Sequence, residues 1–390
     1  MLDLAQLRRD TPGCHDTVFL DSAGSSLPPQ PVLETVIGHL RREARVGGYV
    51  AATERADDLA AARASIARLI GATPAEIALV DSATRAWNTV VGAVPLAPGD
   101  RILVSQVEYA SNAITALRVA RAAGATVEAV PSTPDGRIDL AALDTLLDER
   151  VRLVSLVHAP TNGGLLNPVR EVVDLAHRYG ALVVLDACQS VGQVPVDAAA
   201  LGVDALSATG RKWLRGPRGT GFLYVRDALV ERLEPMSLDL HSAEWTGPGT
   251  YRPAADATRF ELWECDVAAR LGLGTAVDYL LDIGIGAAAT AIADRAGKLR
   301  RGLDAVGGVT VRDLGTDRSG IVTFTVDGVE SVRVRDRLAQ QRITVTVSGR
   351  SSTLLDMSAR GLDAVVRASP HYFVSDDDID RFLAAVAGIR

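Results

Sequence analysis

Between residues 77 and 225 the chain alternates short, continuously apolar runs with longer stretches in which apolar residues return every three or four positions. The runs are EIALV, RILVS, TVEAVP, VRLVSLVH, ALVVLDA, VDALSA and GFLYV. A strand that is apolar at consecutive positions is buried on both faces, as in a mostly parallel sheet covered by helices. The stretch VREVVDLAHRYG shows the intervening helical pattern and closes on Gly180, a suitable helix C-terminus ahead of ALVVLD. Beyond about residue 259 the pattern changes. An Ala/Gly/Leu-rich helical region is predicted from Val267 to Val306, and GIVTFTVDG and ITVTVSG alternate like half-exposed strands. SDDDIDRFLAAVAGI then puts an acidic cap on an amphipathic closing helix. The pattern predicts an α/β protein. Its large domain spans residues 19–258 and its smaller α+β C-terminal domain residues 259–390, with residues 1–18 expected to pack on the small domain. The boundary is soft, because YRPAADATRF has little periodicity.

Composition narrows the function classes. Hydrophobic residues make up 47% of the 390, ample for a core of this size, and the net charge is −7. Basic side chains are scattered, which argues against nucleic acid or an anionic membrane as a main partner. No run approaches a membrane span, and MLDLAQLRRDTPGCHD lacks a signal-peptide core. The three cysteines, Cys14, Cys188 and Cys265, are too far apart for a disulfide framework and have no zinc-type spacing with any histidine. We therefore expect a cytoplasmic protein with a small-molecule ligand and no metal.

One residue stands out against that background. Of 41 basic residues only Lys212 and Lys298 are lysine. Lys212 lies in SATGRKWLRGPRGTG, directly after an apolar strand and beside Arg211. Burial and a neighbouring cation push an ammonium toward its neutral, nucleophilic form, and only lysine can then form an imine. Asp186 ends ALVVLD, at the strand edge where α/β proteins place ligands, and Gln189 follows it in DACQS. VDSATRAWN opens a helix with small residues after EIALV, a suitable phosphate cradle to which Thr209 and Arg211 can add donors. Strand-end carboxylate, imine-forming lysine and phosphate cradle together describe a site for pyridoxal phosphate. The carboxylate keeps the pyridine nitrogen protonated and the lysine holds the cofactor. GPRGTG and GLGTAV lack the context of a dinucleotide site, and P-loop and HExxH motifs are missing. His158 and His371 are expected to be histidines satisfied by backbone contacts.

The segments FLDSAGSSLP, HAPTNGGLLNPV, VVLDACQSVGQ, TGRKWLRGPRGTGFLYV and VRASPHYFVSDDDIDRF resemble the class V aminotransferase group of fold-type-I pyridoxal phosphate enzymes, to which cysteine desulfurases are related. The likeness runs from Phe19 nearly to the C-terminus. It implies that Ala83 and Thr84 bind phosphate with help from Thr209 and Arg211, while Asn88 supports the turn. It further implies that Tyr109 stacks on the pyridine ring where desulfurases usually have histidine, and that Asp186 meets the ring nitrogen. Gln189 and Asn162 are implied at the phenolic oxygen, with Asn162 also facing substrate, and Lys212 as the Schiff-base residue. Arg367 is implied for the substrate carboxylate, a bidentate task suited to guanidinium. Arg350, in SGRSS, is a further candidate for an anionic or sugar-bearing tail. Relatives are homodimers with sites at the subunit interface, so a homodimer is expected here, with the region around Trp263 at that interface.

The departures define the expected activity. A desulfurase needs a cysteine on a mobile loop shortly before the last arginine, whereas VSGRSSTLLDMSARGLDAVV contains none. Cys188 lies in the cofactor turn and is expected to be buried and structural. Segments such as REARVGGYVAATE and FELWECDVAARLGLGTAV are most similar to hercynylcysteine sulfoxide lyases of ergothioneine biosynthesis and to enzymes of cysteine S-conjugates in antibiotic pathways. The expected reaction is β-elimination from an S-substituted L-cysteine, giving a thiol or sulfenate, pyruvate and ammonia. Alternatives with the same cofactor are an aminotransferase, an epimerase and a decarboxylating deaminase. A desulfurase and a non-catalytic binding protein stand further off. For a trimethylammonium-bearing substrate, Trp245, Tyr251, Trp263 and Glu264 are conceivable walls, though interface packing explains each as well.

Overall fold

The computed structural model describes residues 2–389. All seven apolar runs form strands of one sheet: β1 (Ile77–Val80), β2 (Arg101–Ser105), β3 (Thr126–Val130), β4 (Val151–Val157), β5 (Leu182–Asp186), β6 (Ala205–Thr209) and β7 (Gly221–Val225). Their spatial order is β1-β7-β6-β5-β4-β2-β3. β7 runs antiparallel to both its neighbours, and every other pair is parallel. Helices on both faces bury the central strands, β6 and β7 completely, which is why these runs carry no polar alternation. The edge strand β3 is the exception: Thr126 and Ala129 are exposed, as suits a strand with one free side.

Parallel strands bring their carboxyl ends to one edge. In register, Asp186 at the end of β5 lies between Val157 of β4 and Ser207 of β6. The chain therefore delivers residues far apart in sequence to the same rim.

The C-terminal part holds a four-stranded antiparallel sheet in the order Val309–Val311, Val322–Val326, Ala364–Ala368, Thr346–Gly349. Helices Ile285–Asp304, Ser331–Gln340 and Asp376–Ala387 pack with it, and Phe324 meets Phe382 edge to face at 6.0 Å. The N-terminal segment reaches this part of the molecule. Val18–Phe19 pairs in parallel with Ile343–Thr344, and Arg8 binds the Asp378 carboxylate at 2.5 Å and the Phe373 carbonyl at 3.1 Å.

Two features differ from the sequence reading. The helical region from Val267 is two helices, Val267–Ile283 and Ile285–Asp304, bent by 83° at Gly284, whose φ of 86° ends the first. The non-periodic stretch before residue 260 contains an antiparallel hairpin, Ala243–Gly247 with Thr250–Pro253. Its Trp245 is 80% exposed, so no burial pattern marked it. No single helix among the described residues is long and apolar enough to cross a membrane.

Candidate active site

Lys212 stands just beyond β6 in a turn closed by Gly216 N–H to the Gly210 carbonyl at 2.8 Å and Arg215 N–H to the Lys212 carbonyl at 3.0 Å. The turn is bolted to both chain ends. Arg215, at φ 61°, buries its guanidinium and donates to the Leu27 carbonyl at 2.8 Å, the Tyr372 hydroxyl at 3.0 Å and Thr11 Oγ1 at 2.5 Å, over the face of Phe373. Gly192 lies so close behind that a Cβ there would meet the Trp213 carbonyl carbon at 2.6 Å, and its φ is 97°. The lysine is thus held at the backbone while its Nζ makes no hydrogen bond or ion pair among the described residues. Its ammonium is pushed below the ordinary lysine range, first by burial and also by Arg211 and Arg367, against the pull of Cys188 and Asp186. A neutral amine free of partners is a nucleophile and a base.

Asp186 forms the floor. Its Oδ1 accepts the Cys188 N–H and its Oδ2 accepts Asn112 Nδ2, both at 2.9 Å. Behind Asn112 lies Glu108, buried, which accepts from Asn112 Nδ2 at 2.9 Å, from the Tyr109 N–H at 2.9 Å and from the Ser155 hydroxyl. Burial, aided by Asp186, pushes the Glu108 carboxyl up to about 7 against those hydrogen bonds. Tyr109 caps helix Ala110–Ala123 with its side chain partly exposed. Helix Ala83–Ala93 begins beside β7, and a Cβ on Gly221 would meet Ala83 N at 3.1 Å. Ser82 takes the Arg85 N–H, leaving the Ala83 and Thr84 amides of the first turn for an anion.

Across the rim lies a seam with the C-terminal sheet. Arg367, buried, donates from Nη1 to Thr161 Oγ1 at 2.6 Å and from Nη2 to Asp21 Oδ1 at 3.3 Å, while its Nε has no partner. Burial pushes the Asp21 carboxyl up while Arg367 pulls it down. Asn162 donates to Thr353 Oγ1 at 2.9 Å and to Met357 Sδ at 2.8 Å, and its Oδ1 is buried without a partner. Thr353 and Met357 are fully buried, Thr353 just before and Met357 within a short helix, Leu354–Ala359.

Lys212, Asp186, Arg211 and Arg367 are close enough for their charges to act on one another. Gln189 joins them through Thr161 Oγ1 at 3.3 Å and holds the Ala23 carbonyl at 3.0 Å while accepting Trp213 Nε1 at 2.9 Å. Thr209 bonds back to the Thr220 carbonyl at 3.3 Å, and Arg211 to the Gly24 carbonyl. Arg350 directs its guanidinium to the Leu362 carbonyl at 3.1 Å and to Asp363, while its own carbonyl accepts the Thr353 N–H at 3.2 Å. Asn88 accepts from Thr115 at 2.5 Å. His371 is satisfied by backbone, at the Trp213 carbonyl and the Tyr372 N–H. His158 differs from expectation: its Nδ1 is buried without a partner, and burial lowers it to about 4. Cys188 keeps part of its surface exposed, although its thiol lies deep beside Asp186 and Lys212. Trp245, Tyr251 and Trp263 are exposed. Sequence reasoning missed Asp21, Glu108, Asn112, Thr161, Thr353, Met357 and Arg215. Glu108 and Asn112 flank Tyr109 four residues apart at a helix start, a spacing that puts them on one side.

These residues fit pyridoxal phosphate. A free Nζ, a strand-end carboxylate, an open helix N-terminus and unpartnered atoms on Asn162 and Arg367 match an aldehyde, a ring nitrogen, a phosphate and polar ligand atoms. Among the described residues no group of His, Cys, Asp or Glu is placed to hold a metal ion.

Comparison with known proteins agrees. The sequence profile described as Aminotransferase class-V matches residues 18–382. A probable hercynylcysteine sulfoxide lyase of Mycobacterium tuberculosis is 34% identical over 95% of this chain and 89% of its own length. A probable cysteine desulfurase of Halalkalibacterium halodurans is 31% identical over 93% and 90%. Among solved structures, a mutant of C-DES with glycine covalently linked to its PLP cofactor superposes with a TM-score of 0.90 at 25% identity, covering 98% of this chain and 99% of that one. C-DES is described as a cystine C–S lyase whose reaction product is cysteine persulfide.

Proposed function

Because the chain belongs to the Aminotransferase class-V family and is a pyridoxal phosphate enzyme, we propose that it is a C–S β-lyase acting on an S-substituted L-cysteine. The observation that carries this reading is the seam. The segment that would carry a desulfurase's mobile cysteine has none and is folded as a helix fastened to Asn162 through Thr353 and Met357. Cys188 is the thiol beside Lys212, and burial next to Asp186 pushes it well above the ordinary thiol range, so it stays protonated and a poor nucleophile. An elimination needs no enzyme thiol, and the likeness to a probable hercynylcysteine sulfoxide lyase and to a cystine C–S lyase supports the same class.

Bound pyridoxal phosphate supplies an aldehyde for amines and a ring that accepts the electron pair left at a substrate Cα. Lys212 would hold the aldehyde carbon, Asp186 the ring nitrogen, and Ala83, Thr84, Thr209 and Arg211 the phosphate. Tyr109 would cover one ring face, with Gln189 and Asn162 toward the phenolic oxygen. Arg367 binds the substrate carboxylate and so fixes the orientation of the Cα–H bond. Lys212, whose amine form burial favours, would take the Cα proton. The Cβ–S bond then breaks with its electron pair on sulfur, which leaves as thiolate or sulfenate. The three-carbon remainder takes up water and gives pyruvate and ammonia. The reading includes a homodimer, with the region around the exposed Trp263 at the subunit interface.

The test is pyruvate release by cofactor-loaded protein given S-substituted cysteines, hercynylcysteine sulfoxide among them, with Lys212→Ala as the blank. Lys212-dependent pyruvate with a matching thiol establishes the lyase, and the best substrate identifies the branch. A second reading, desulfurase, draws on the position of Cys188 beside Lys212 and on the 31% identical relative. It predicts alanine from free cysteine, the sulfur passing to Cys188 as a persulfide and leaving as sulfide only when a thiol reductant is added, all of it lost in Cys188→Ala. Substrate consumed to a keto acid other than pyruvate, to a D-amino acid or with release of CO2 points instead to transamination, epimerisation or decarboxylation.

A further inference from the structure

Asn112 spends both hydrogens of its amide nitrogen on carboxylates. One goes to Asp186 Oδ2 and one to Glu108 Oε1, each at 2.9 Å. The arrangement fixes the amide's orientation, since a flipped group would aim its oxygen at two acceptors. Glu108 is surrounded by donors: Asn112, the Tyr109 N–H and the Ser155 hydroxyl. Glu108, Asn112 and Ser155 are all buried, so the network is shielded from water, and loss of any member leaves a polar group unpaired. A second buried carboxyl next to Asp186 is costly to keep. Its cost has no evident return in packing, because an apolar side chain would fill the same space.

What the network does touch is informative. Through Asn112 it reaches the carboxylate assigned to the ring nitrogen, and through the Tyr109 N–H the residue assigned to the ring face. We propose that Glu108 and Asn112 are positioning residues that hold Asp186 and Tyr109 against the cofactor ring, at its nitrogen and at one face. Asn112 donates to Asp186 Oδ2 and so aims the carboxylate's remaining lone pairs. Glu108 fixes Asn112 and the first turn of helix Ala110–Ala123 at once. The inference rests on the assignment of Asp186 to the ring nitrogen, and the experiment separates the two.

Purified apoprotein is titrated with pyridoxal phosphate, and the visible band of the Lys212-linked cofactor is followed against pH. The proteins are the parent, Asn112→Ala, Glu108→Gln, Asp186→Asn and the double variant Asp186→Asn/Asn112→Ala. Loss of one hydrogen bond to a buried charge should weaken cofactor binding by roughly ten- to a hundred-fold in Asn112→Ala, with a smaller loss in Glu108→Gln. The pH midpoint of the band should rise in both, because a less firmly protonated ring withdraws fewer electrons from the lysine linkage. Asp186→Asn should raise it most, and Asn112→Ala should add little in that background. A structural role alone would lower the melting temperature without moving the midpoint. An unchanged midpoint in Asn112→Ala, or a shift that adds in full to that of Asp186→Asn, overturns the inference and leaves Asp186 in its role. An unchanged midpoint in Asp186→Asn overturns both. Should Glu108→Gln fail to fold, Asn112→Ala decides the matter by the same criteria.

Discussion

The two halves of the site are built differently. At the carboxyl rim of the large sheet, Asp186, Asn112, Glu108 and Ser155 form a network in which each side-chain oxygen and nitrogen toward its neighbours is engaged. Across the rim, in the seam with the C-terminal sheet, buried atoms are left waiting: Nε of Arg367 and Oδ1 of Asn162 have no partner. A buried polar atom without a partner destabilises a fold by about 1–3 kcal/mol, so its survival suggests a partner that arrives later. His158 Nδ1, just past β4, is also buried without a partner, so the contrast is between the closed network around Asp186 and the open donors and acceptors of the seam.

The difference is open to test from both sides. The largest effect should come from the rim. Lys212→Ala should lower pyruvate formation by about ten-thousand-fold or more while the protein stays folded, because it removes the base that takes the Cα proton. Single-turnover and melting measurements check the two parts. On the seam side, Arg367→Gln should lower kcat/KM by about a hundred- to a thousand-fold, mainly through KM. Its cofactor affinity should match the parent's. A matching fall in cofactor affinity would show that rim and seam are one unit.

The same contrast explains what could be read from sequence. The rim lies at the ends of strands whose apolar runs announce them, and Asp186 and Lys212 stand at or just beyond those ends. The seam is assembled from Asp21, Thr161, Asn162, Thr353 and Arg367, which no period or local motif connects, and only the sheet registers bring them together. Asp21 pairs with Arg367 across 346 residues. Arg350 shows what sequence proximity leaves open: it lies near the right segment, and in this structure its guanidinium bonds the Leu362 carbonyl and Asp363. The hairpin carrying Trp245 escaped notice because its side chains are exposed on both faces and leave no alternation to find.

Glu108 offers a measurement confined to the rim. Burial raises its carboxyl to about 7, from 4.5 in a free chain. Between those values the unfolded chain gives up its proton first, so the stability that this group contributes falls as pH rises through the window from about 4.5 to 7. The full difference is about 3 kcal/mol, and it is absent below the lower value. Denaturant unfolding of the apoprotein from pH 4.5 to 8 should show that slope, and Glu108→Gln should remove it. A slope unchanged in Glu108→Gln would mean that its hydrogen bonds outweigh burial and hold the group ionised throughout.

The smallest expected effect is in the seam, and it separates two roles for Asp21. Its carboxylate sits 3.3 Å from Arg367 Nη2, with Thr161 on Nη1. A substrate carboxylate that approaches the guanidinium meets a charge already shared with Asp21. Asp21→Asn removes the competitor but leaves Arg367 buried without a counterion in the free protein. Stability of that protein should fall by about 1–2 kcal/mol, less than for a fully buried pair because Asp21 is partly exposed. KM should then fall several-fold, with kcat little changed, and a saturating amino-acid inhibitor should restore the melting temperature. The reverse result, a KM that rises, would assign Asp21 to aiming the guanidinium rather than to competing with substrate, and the seam would then be as preorganised as the rim.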